Sequence, residues 1–425
     1  MSKSIKSIKS IKSNQFNQVS IDLTKSLSKS VKKAQGIYFT PQSLTSRLIS
    51  KLLLQITDKS NIRILEPSCG SCEFVKALDE LLDDISITCV ELNTDIYDEI
   101  TKLEFKNEVE IINDDFLKII EVEQFDLIIG NPPYFVCKRE DISQQFAAKY
   151  GEYITGRPNM FGLFIIHSLE LLKPNGVLAF VIPKSFLNSA YYANIRNLIK
   201  STCDIIEIED YAGTNDFLDT EQSTFGLILK KREDLTIEGC ECEYSILLNG
   251  NYIFTPNAGQ LRAFFENSTT IKKMGLAVKT GTIVWNEKKD LLTDDELNTI
   301  LLYNTNITND NKVKLTTFKN AEKGQYIEVE GTTDPIIVVN RGNGNASYNF
   351  KYAFIEKLMP FVVENHLNMI YLPENNPMKK NDLIALYKKI ICSFDNPKTK
   401  AFIELFFGNN GLSKTELETI LPIYL

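Results

Sequence analysis

Apolar residues in the first half of the chain gather in short runs rather than alternating strictly with polar ones. Such runs lie at 62–65, 87–90, 110–112, 125–129 and 177–182, each bounded by Gly, Pro, Asn, Asp or Glu. Runs of this kind read as strands covered on both faces, the habit of a parallel sheet. Before the first of them Leu44, Leu48 and Leu52 recur at helical spacing, and between the last two 159–172 is apolar enough for a buried helix. Two more strands are expected at 204–208 and 225–230. Strands alternating with helices predict an α/β domain, Rossmann-like, on a mostly parallel seven-stranded sheet with ligands at the strands' carboxyl ends. The alternation stops near Glu233-Asp234. Residues 240–425 hold many Asn, Lys and Thr and are expected to form a second, mixed α+β domain.

At 425 residues the chain is long enough for two cores. Its 43% hydrophobic and 24% charged content is ordinary for a globular protein, and no apolar run is long enough to span a membrane. Eight scattered cysteines suggest a reducing, intracellular setting, cytoplasmic or near the nucleoid. Cys69 and Cys72 form a CxxC, Cys240 and Cys242 a CxC, but neither histidine lies near them, and no metal site is expected. The net charge of −8 is unevenly spread. Residues 1–35 carry eight lysines against the single acid Asp22, and repeat Lys-Ser-Ile, so they are expected to form a flexible basic arm separate from a domain at 36–235. An acidic protein still binds DNA through a local basic face.

The run at 125–129 stops at Gly130-Asn131-Pro132-Pro133-Tyr134. Two prolines fix φ and remove two backbone donors, so the strand ends on a stiff ledge. The ledge carries the Asn131 amide, the Pro132 carbonyl and the Tyr134 ring. An exocyclic amine on a planar ring is a poor nucleophile because its lone pair is delocalised. Acceptors on its two N–H bonds would favour the pyramidal nitrogen of a transition state, and a stacked ring would hold the base. Upstream, the first strand closes on Glu66-Pro67-Ser68-Cys69-Gly70-Ser71-Cys72, a small-residue turn before a helix. The second strand ends in Glu91, placed to accept ribose hydroxyls. The third leads to Asp115 and Phe116, which suit an adenine amino group and ring face.

Together these elements resemble the gamma group of S-adenosylmethionine-dependent DNA adenine-N6 methyltransferases, in the order that family uses, over residues 36–230. The resemblance implies that Thr40, Glu66, Pro67, Gly70, Glu91, Asp115, Phe116 and Asn131 hold S-adenosyl-L-methionine. It implies that Asn131, Pro132 and Tyr134 act on a flipped adenine and that Phe217 closes over the base's other face. One departure stands out: the turn's second glycine is Cys72, whose side chain either crowds the cofactor or points away. In such enzymes the carboxyl-terminal domain reads a short palindromic site in double-stranded DNA, sometimes beside a cognate restriction endonuclease. Thr280-Gly281-Thr282-Ile283-Val284-Trp285-Asn286 is similar to a stretch of such recognition domains. There Lys279 is expected to meet phosphates, and Arg341, Asn343 and Asn345 to read bases. The rival readings are a protein-glutamine or RNA methyltransferase using the same ledge, and a DNA-binding subunit without turnover. The large second domain argues against the first rival, and only Cys72 favours the second.

Overall fold

The structure is a computed structural model of the chain. It describes residues 16–56, 60–119, 124–154, 156–211, 223–234, 243–318, 320, 322–341, 348–407 and 411–425. Two compact units divide between Ala258 and Gly259.

The described part of the first unit opens on two helices, α1 (Gln18–Ser26) and α2 (Lys29–Gln35). This corrects the expectation of a flexible arm through residue 35. Asn17 caps α1 by accepting from Ser20 N, and Phe16, Leu23 and Leu27 are buried in the core beneath the sheet. Among the described lysines Lys25, Lys29 and Lys33 are exposed and Lys32 is buried with its ammonium donating to Thr24 O, so the density of lysine conceals an apolar stripe at helical spacing. Helix α3 (Gln42–Leu53) buries Leu44, Leu48 and Leu52 as its periodicity predicts.

Strands β1 (Ile62–Glu66), β2 (Ile85–Val90), β3 (Glu108–Ile112) and β4 (Phe125–Gly130) follow, with α4 (Glu73–Leu81) and α5 (Thr94–Ile100) as crossovers. After β4 come α6 (Gln144–Tyr150), the buried α7 (Met160–Leu171), β5 (Leu172–Pro183), α8 (Ala193–Thr202), β6 (Cys203–Asp210) and β7 (Thr224–Lys231). The seven strands form one sheet in the order β3-β2-β1-β4-β5-β7-β6, with β7 antiparallel to both neighbours. Leu127, Ile128, Ile129, Leu178, Ala179 and Phe180 are wholly buried, as an apolar run covered on both faces requires. Because β3, β2, β1 and β4 are adjacent and parallel, their carboxyl ends lie in a row. That row brings Asp115, Glu91, Glu66 and Asn131 to one edge.

The first unit also keeps the hairpin β8 (Ser245–Leu248) and β9 (Asn251–Phe254). The division therefore falls later than the expected 235–240. The buried Arg196 explains this: its guanidinium donates to Tyr252 O, Phe186 O and Ser189 O, and Phe254 N donates to Leu187 O.

Helix α9 (Ala258–Phe265) leads into the second unit, which is mixed α and β as expected. Its strands are β10 (Ala277–Thr280), β11 (Leu292–Thr293), β12 (Thr299–Leu302), β13 (Tyr326–Ile327), β14 (Ile336–Asn340), β15 (Tyr352–Ile355), β16 (Phe361–Val363) and β17 (Leu367–Tyr371). One four-stranded sheet runs β10-β17-β14-β15 and another β11-β13-β12-β16, the latter joining β12 and β16 in parallel. Helices α10 (Lys380–Phe394), α11 (Pro397–Phe406) and α12 (Lys414–Thr419) complete it. Among the described residues, no helix is long and apolar enough to cross a membrane.

Candidate active site

A solvent-open cavity of about 920 Å³ sits at the carboxyl ends of β1 to β4. All eight residues expected to hold a cofactor line it: Thr40, Glu66, Pro67, Gly70, Glu91, Asp115, Phe116 and Asn131. Sequence reasoning did not single out Gln35, Tyr38, Ile96, Met160 and Phe164, which also line it. Tyr38 belongs to the Gly36–Thr40 segment, whose Thr-Pro end was the only part with a legible role.

The turn after β1 is built around two carboxylates. Glu91 lies at the end of β2, and its two oxygens accept from Gly70 N (2.9 Å) and Asn93 N (2.8 Å). Each oxygen keeps a lone pair for a further donor such as a ribose hydroxyl. Asn93 in turn donates to Gln35 Oε1 at 2.8 Å, tying the end of α2 to the cavity rim. Glu66 is buried, and its Oε2 has no partner. Burial, reinforced by its acidic and thiol neighbours, pushes its carboxyl well above the usual range. Burial also raises Glu91 and Glu73, the latter despite bonds from Ser20 Oγ (2.6 Å) and Asn17 N (3.2 Å).

Buried carboxylates with raised pKa and one orphaned oxygen suit a ligand that carries positive charge. S-adenosylmethionine, with a sulfonium, an ammonium and an adenosine, fits this set. Glu66 would meet its ammonium and Glu91 its ribose. Asp115 caps the short helical turn that follows by accepting from Leu117 N at 3.1 Å. Phe116 is buried, packing on Phe164 and His167 at centroid distances of 4.8 Å, and still borders the cavity.

Cys72 adopts φ +60°, a left-handed conformation that favours glycine. Its side chain is wholly buried in the core with Phe74, Val75 and Cys89, and is not part of the cavity wall, whereas Cys69 is. The departure at the glycine position therefore alters the core side of the turn. The single feature that favoured a subunit without turnover does not border the cavity.

At the ledge, Asn131 Nδ2 donates to Tyr38 O (3.1 Å) and Thr40 Oγ1 (3.0 Å). Asn131 Oδ1 therefore faces away from that segment, where the Tyr134 hydroxyl meets it. The same hydroxyl reaches Val181 O at 2.7 Å. Tyr134 stands edge-on to Phe161, 6.1 Å between centroids, and burial raises its phenol well above the usual value. Pro132 is buried, and Pro133 lines the cavity beside Phe135. Gly36 is needed here twice. It closes α2 at φ +63°, and a Cβ on it would meet Tyr134 N at 2.9 Å, so only glycine lets the segment lie against the ledge.

Of the remaining expected residues, Lys279 lies in β10 with its ammonium 4.5 Å from the centre of the Tyr371 ring. Arg341 follows β14; its Nη1 donates to Asn365 O (2.9 Å) and its N–H to His366 O (3.2 Å). Phe217, Asn343 and Asn345 lie outside the described residues.

Residues 22–217 match the family of Eco57I restriction-modification methylases. The chain is 26% identical over 416 residues to modification methylase CviBIII of Paramecium bursaria Chlorella virus NC1A, covering 96% of this chain and 98% of that one. It is also 26% identical to the type II methyltransferase M.CvrRI of Paramecium bursaria Chlorella virus XZ-6E, covering 95% and 98%. The solved DrdV–DNA complex superposes at TM-score 0.50 with 14% identity, over 96% of this chain and 57% of that larger protein, a likeness of fold. The family match over residues 22–217 and the end-to-end similarity make this chain similar to type II modification methylases, and its sheet order is that of the S-adenosylmethionine-dependent methyltransferase fold.

Proposed function

We propose that the chain methylates the N6 amine of an adenine within a short, palindromic DNA sequence, the base being turned out of the duplex to reach the ledge. Bound in the cavity, S-adenosylmethionine supplies a methyl group on a good leaving group, so no strong base is required before attack. Asn131 Oδ1 and the Pro132 carbonyl accept the two N–H bonds of the amine. That polarisation localises its lone pair as the nitrogen becomes pyramidal. Tyr134 and Phe217 hold the base between them, offsetting the stacking lost in the duplex. Tyr134 must then give up its bond to Asn131, exchanging a neutral hydroxyl for the amine it resembles. Lys279 and Arg341 contact the DNA, and Asn343 and Asn345 read bases. A restriction endonuclease cutting the same site unless it is methylated is the partner this reading supplies.

The observation that carries the reading is the orientation of the Asn131 amide. Both its N–H bonds are used on one side, so the group it presents is an acceptor. Sequencing DNA from a strain expressing the protein tests it. N6-methyladenine should appear in one short motif and vanish with Asn131→Ala. Methylation at another atom, or full methylation by that variant, removes the proposed site.

A further inference from the structure

We infer that Thr40 is a positioning residue for methyl transfer: with the Tyr38 carbonyl it fixes the Asn131 amide so that oxygen, not nitrogen, meets the incoming amine. The inference rests on the acceptor role given above to Asn131. It assigns to Thr40 a task separate from holding the cofactor.

An asparagine amide has two ends of nearly equal size. Turned over, it would offer two N–H donors to an amine that itself has N–H bonds to donate, and the polarisation would reverse. Something must therefore choose the end. Tyr38 O is a carbonyl and only accepts, so at 3.1 Å it tolerates Nδ2 and repels Oδ1. Thr40 Oγ1, buried and 3.0 Å from the same nitrogen, accepts the second N–H. On the opposite side the Tyr134 hydroxyl meets Oδ1, and a hydroxyl proton can be given to an oxygen. The Tyr38 carbonyl therefore sets the orientation and the Thr40 oxygen completes it by taking the second N–H, whereas the Tyr134 hydroxyl, whose single proton also has Val181 O to go to, does not decide it.

The backbone makes the arrangement rigid. Gly36 closes α2 against Tyr134 N, while Pro41 starts α3, whose first turn is held by Leu44 N and Thr45 N donating to Pro41 O. Thr40 lies between these two fixed points. Its hydroxyl is delivered to Asn131 by main chain that is anchored on both sides.

The test is single-turnover transfer of labelled methyl from saturating S-adenosylmethionine to genomic DNA of a strain without adenine methylation. Thr40→Val keeps the shape and removes the acceptor; from the worth of one buried hydrogen bond it should slow transfer roughly five- to tenfold. Equilibrium binding of S-adenosylmethionine should change less than about twofold, since uniform binding is not what is lost. Thr40→Ser, which keeps the oxygen, should recover most of the rate. In an Asn131→Ala background, Thr40→Val should cost nothing further, because the group it acts through is gone.

Weakened cofactor binding with an unchanged saturated rate would overturn the inference and leave Thr40 a cofactor contact alone. So would an equal loss in the Asn131→Ala background. If Thr40→Val does not fold, Thr40→Ala enters the same cycle. If Asn131→Ala transfers too slowly to measure, the serine recovery and the split between rate and binding decide. Asn131→Ala at full rate would instead bring down the reading of the ledge.

Discussion

The two units differ in how tightly sequence constrains geometry. In the first, β4 and β5 carry the apolar runs 127–129 and 177–182, whose ends the sheet order places side by side. In the second, strands such as Leu292–Thr293 and Tyr326–Ile327 are two residues long and pair across distant parts of the chain. A reaction site needs atoms fixed within fractions of an ångström, and here it rests on buried parallel strands. A nucleic-acid contact through phosphates tolerates looser support, since much of its strength is long-range charge.

The sharpest way to break that contrast is to strike the rigid unit first. Asn131→Ala should lower the single-turnover methylation rate by roughly 10²–10³, the cost of losing one preorganised polar partner of a transition state. Its melting temperature should stay close to the parent, because Asn131 is part-exposed and its lost bonds border a solvent-open cavity. A large fall in stability with a small fall in rate would make Asn131 a structural residue.

The counterpart in the second unit is Arg341→Ala. Its guanidinium is exposed and holds one backbone carbonyl, so its removal should leave folding intact. DNA affinity should fall severalfold and the salt dependence should lose about one unit of slope, as for one phosphate contact. Lys279→Ala should do the same more weakly, its ammonium being engaged over Tyr371. If either variant instead changes which sequence is methylated, that residue reads bases and the second unit is as finely set as the first.

How much was legible follows the same line. Glu66, Glu91, Asp115 and Asn131 could be placed together because each ends an apolar run, and adjacent parallel strands end in a row. Phe16, Leu23 and Leu27 were legible in principle, at helical spacing, but eight lysines in 35 residues outweighed them. The hairpin 245–254 was assigned to the wrong side because its anchor is Arg196, a buried charge that no apolar pattern reveals. In the second unit Gly281 lies so close to Glu364 that a Cβ would meet its carbonyl oxygen at 2.2 Å. Such backbone proximity leaves no periodic trace.

A smaller effect separates binding from folding within the first unit. Glu66 has a folded pKa raised by burial above its unfolded value. The native state then holds a proton that the unfolded state has released. Stability is greatest below the ordinary carboxylate range and falls as pH rises through the raised pKa. Glu66→Gln should flatten that decline in the protein without ligand, raising its melting temperature at alkaline pH by a few degrees, about the shift of 1–2 kcal/mol in a domain this size. It should also weaken S-adenosylmethionine binding, since a neutral amide is a poorer partner for an ammonium. Equal affinity in parent and variant would place the ammonium elsewhere in the cavity.

The smallest expected effect concerns Cys72, where the chain departs from its resemblance. Replacing it with glycine relieves a left-handed conformation that costs about 1–2 kcal/mol in other residues. It also empties a wholly buried position and adds freedom to the unfolded chain, losses of about 1 kcal/mol or more each. The terms nearly cancel, so Cys72→Gly should lower the melting temperature by only a few degrees. S-adenosylmethionine affinity should not change, because Cys72 is wholly buried and is not among the residues that line the cavity. A marked gain in affinity would mean that the side chain does reach the ligand. The turn, built into the more constrained unit, would then be the part of it that tolerates misfit, and the contrast between the units would narrow at the cofactor itself.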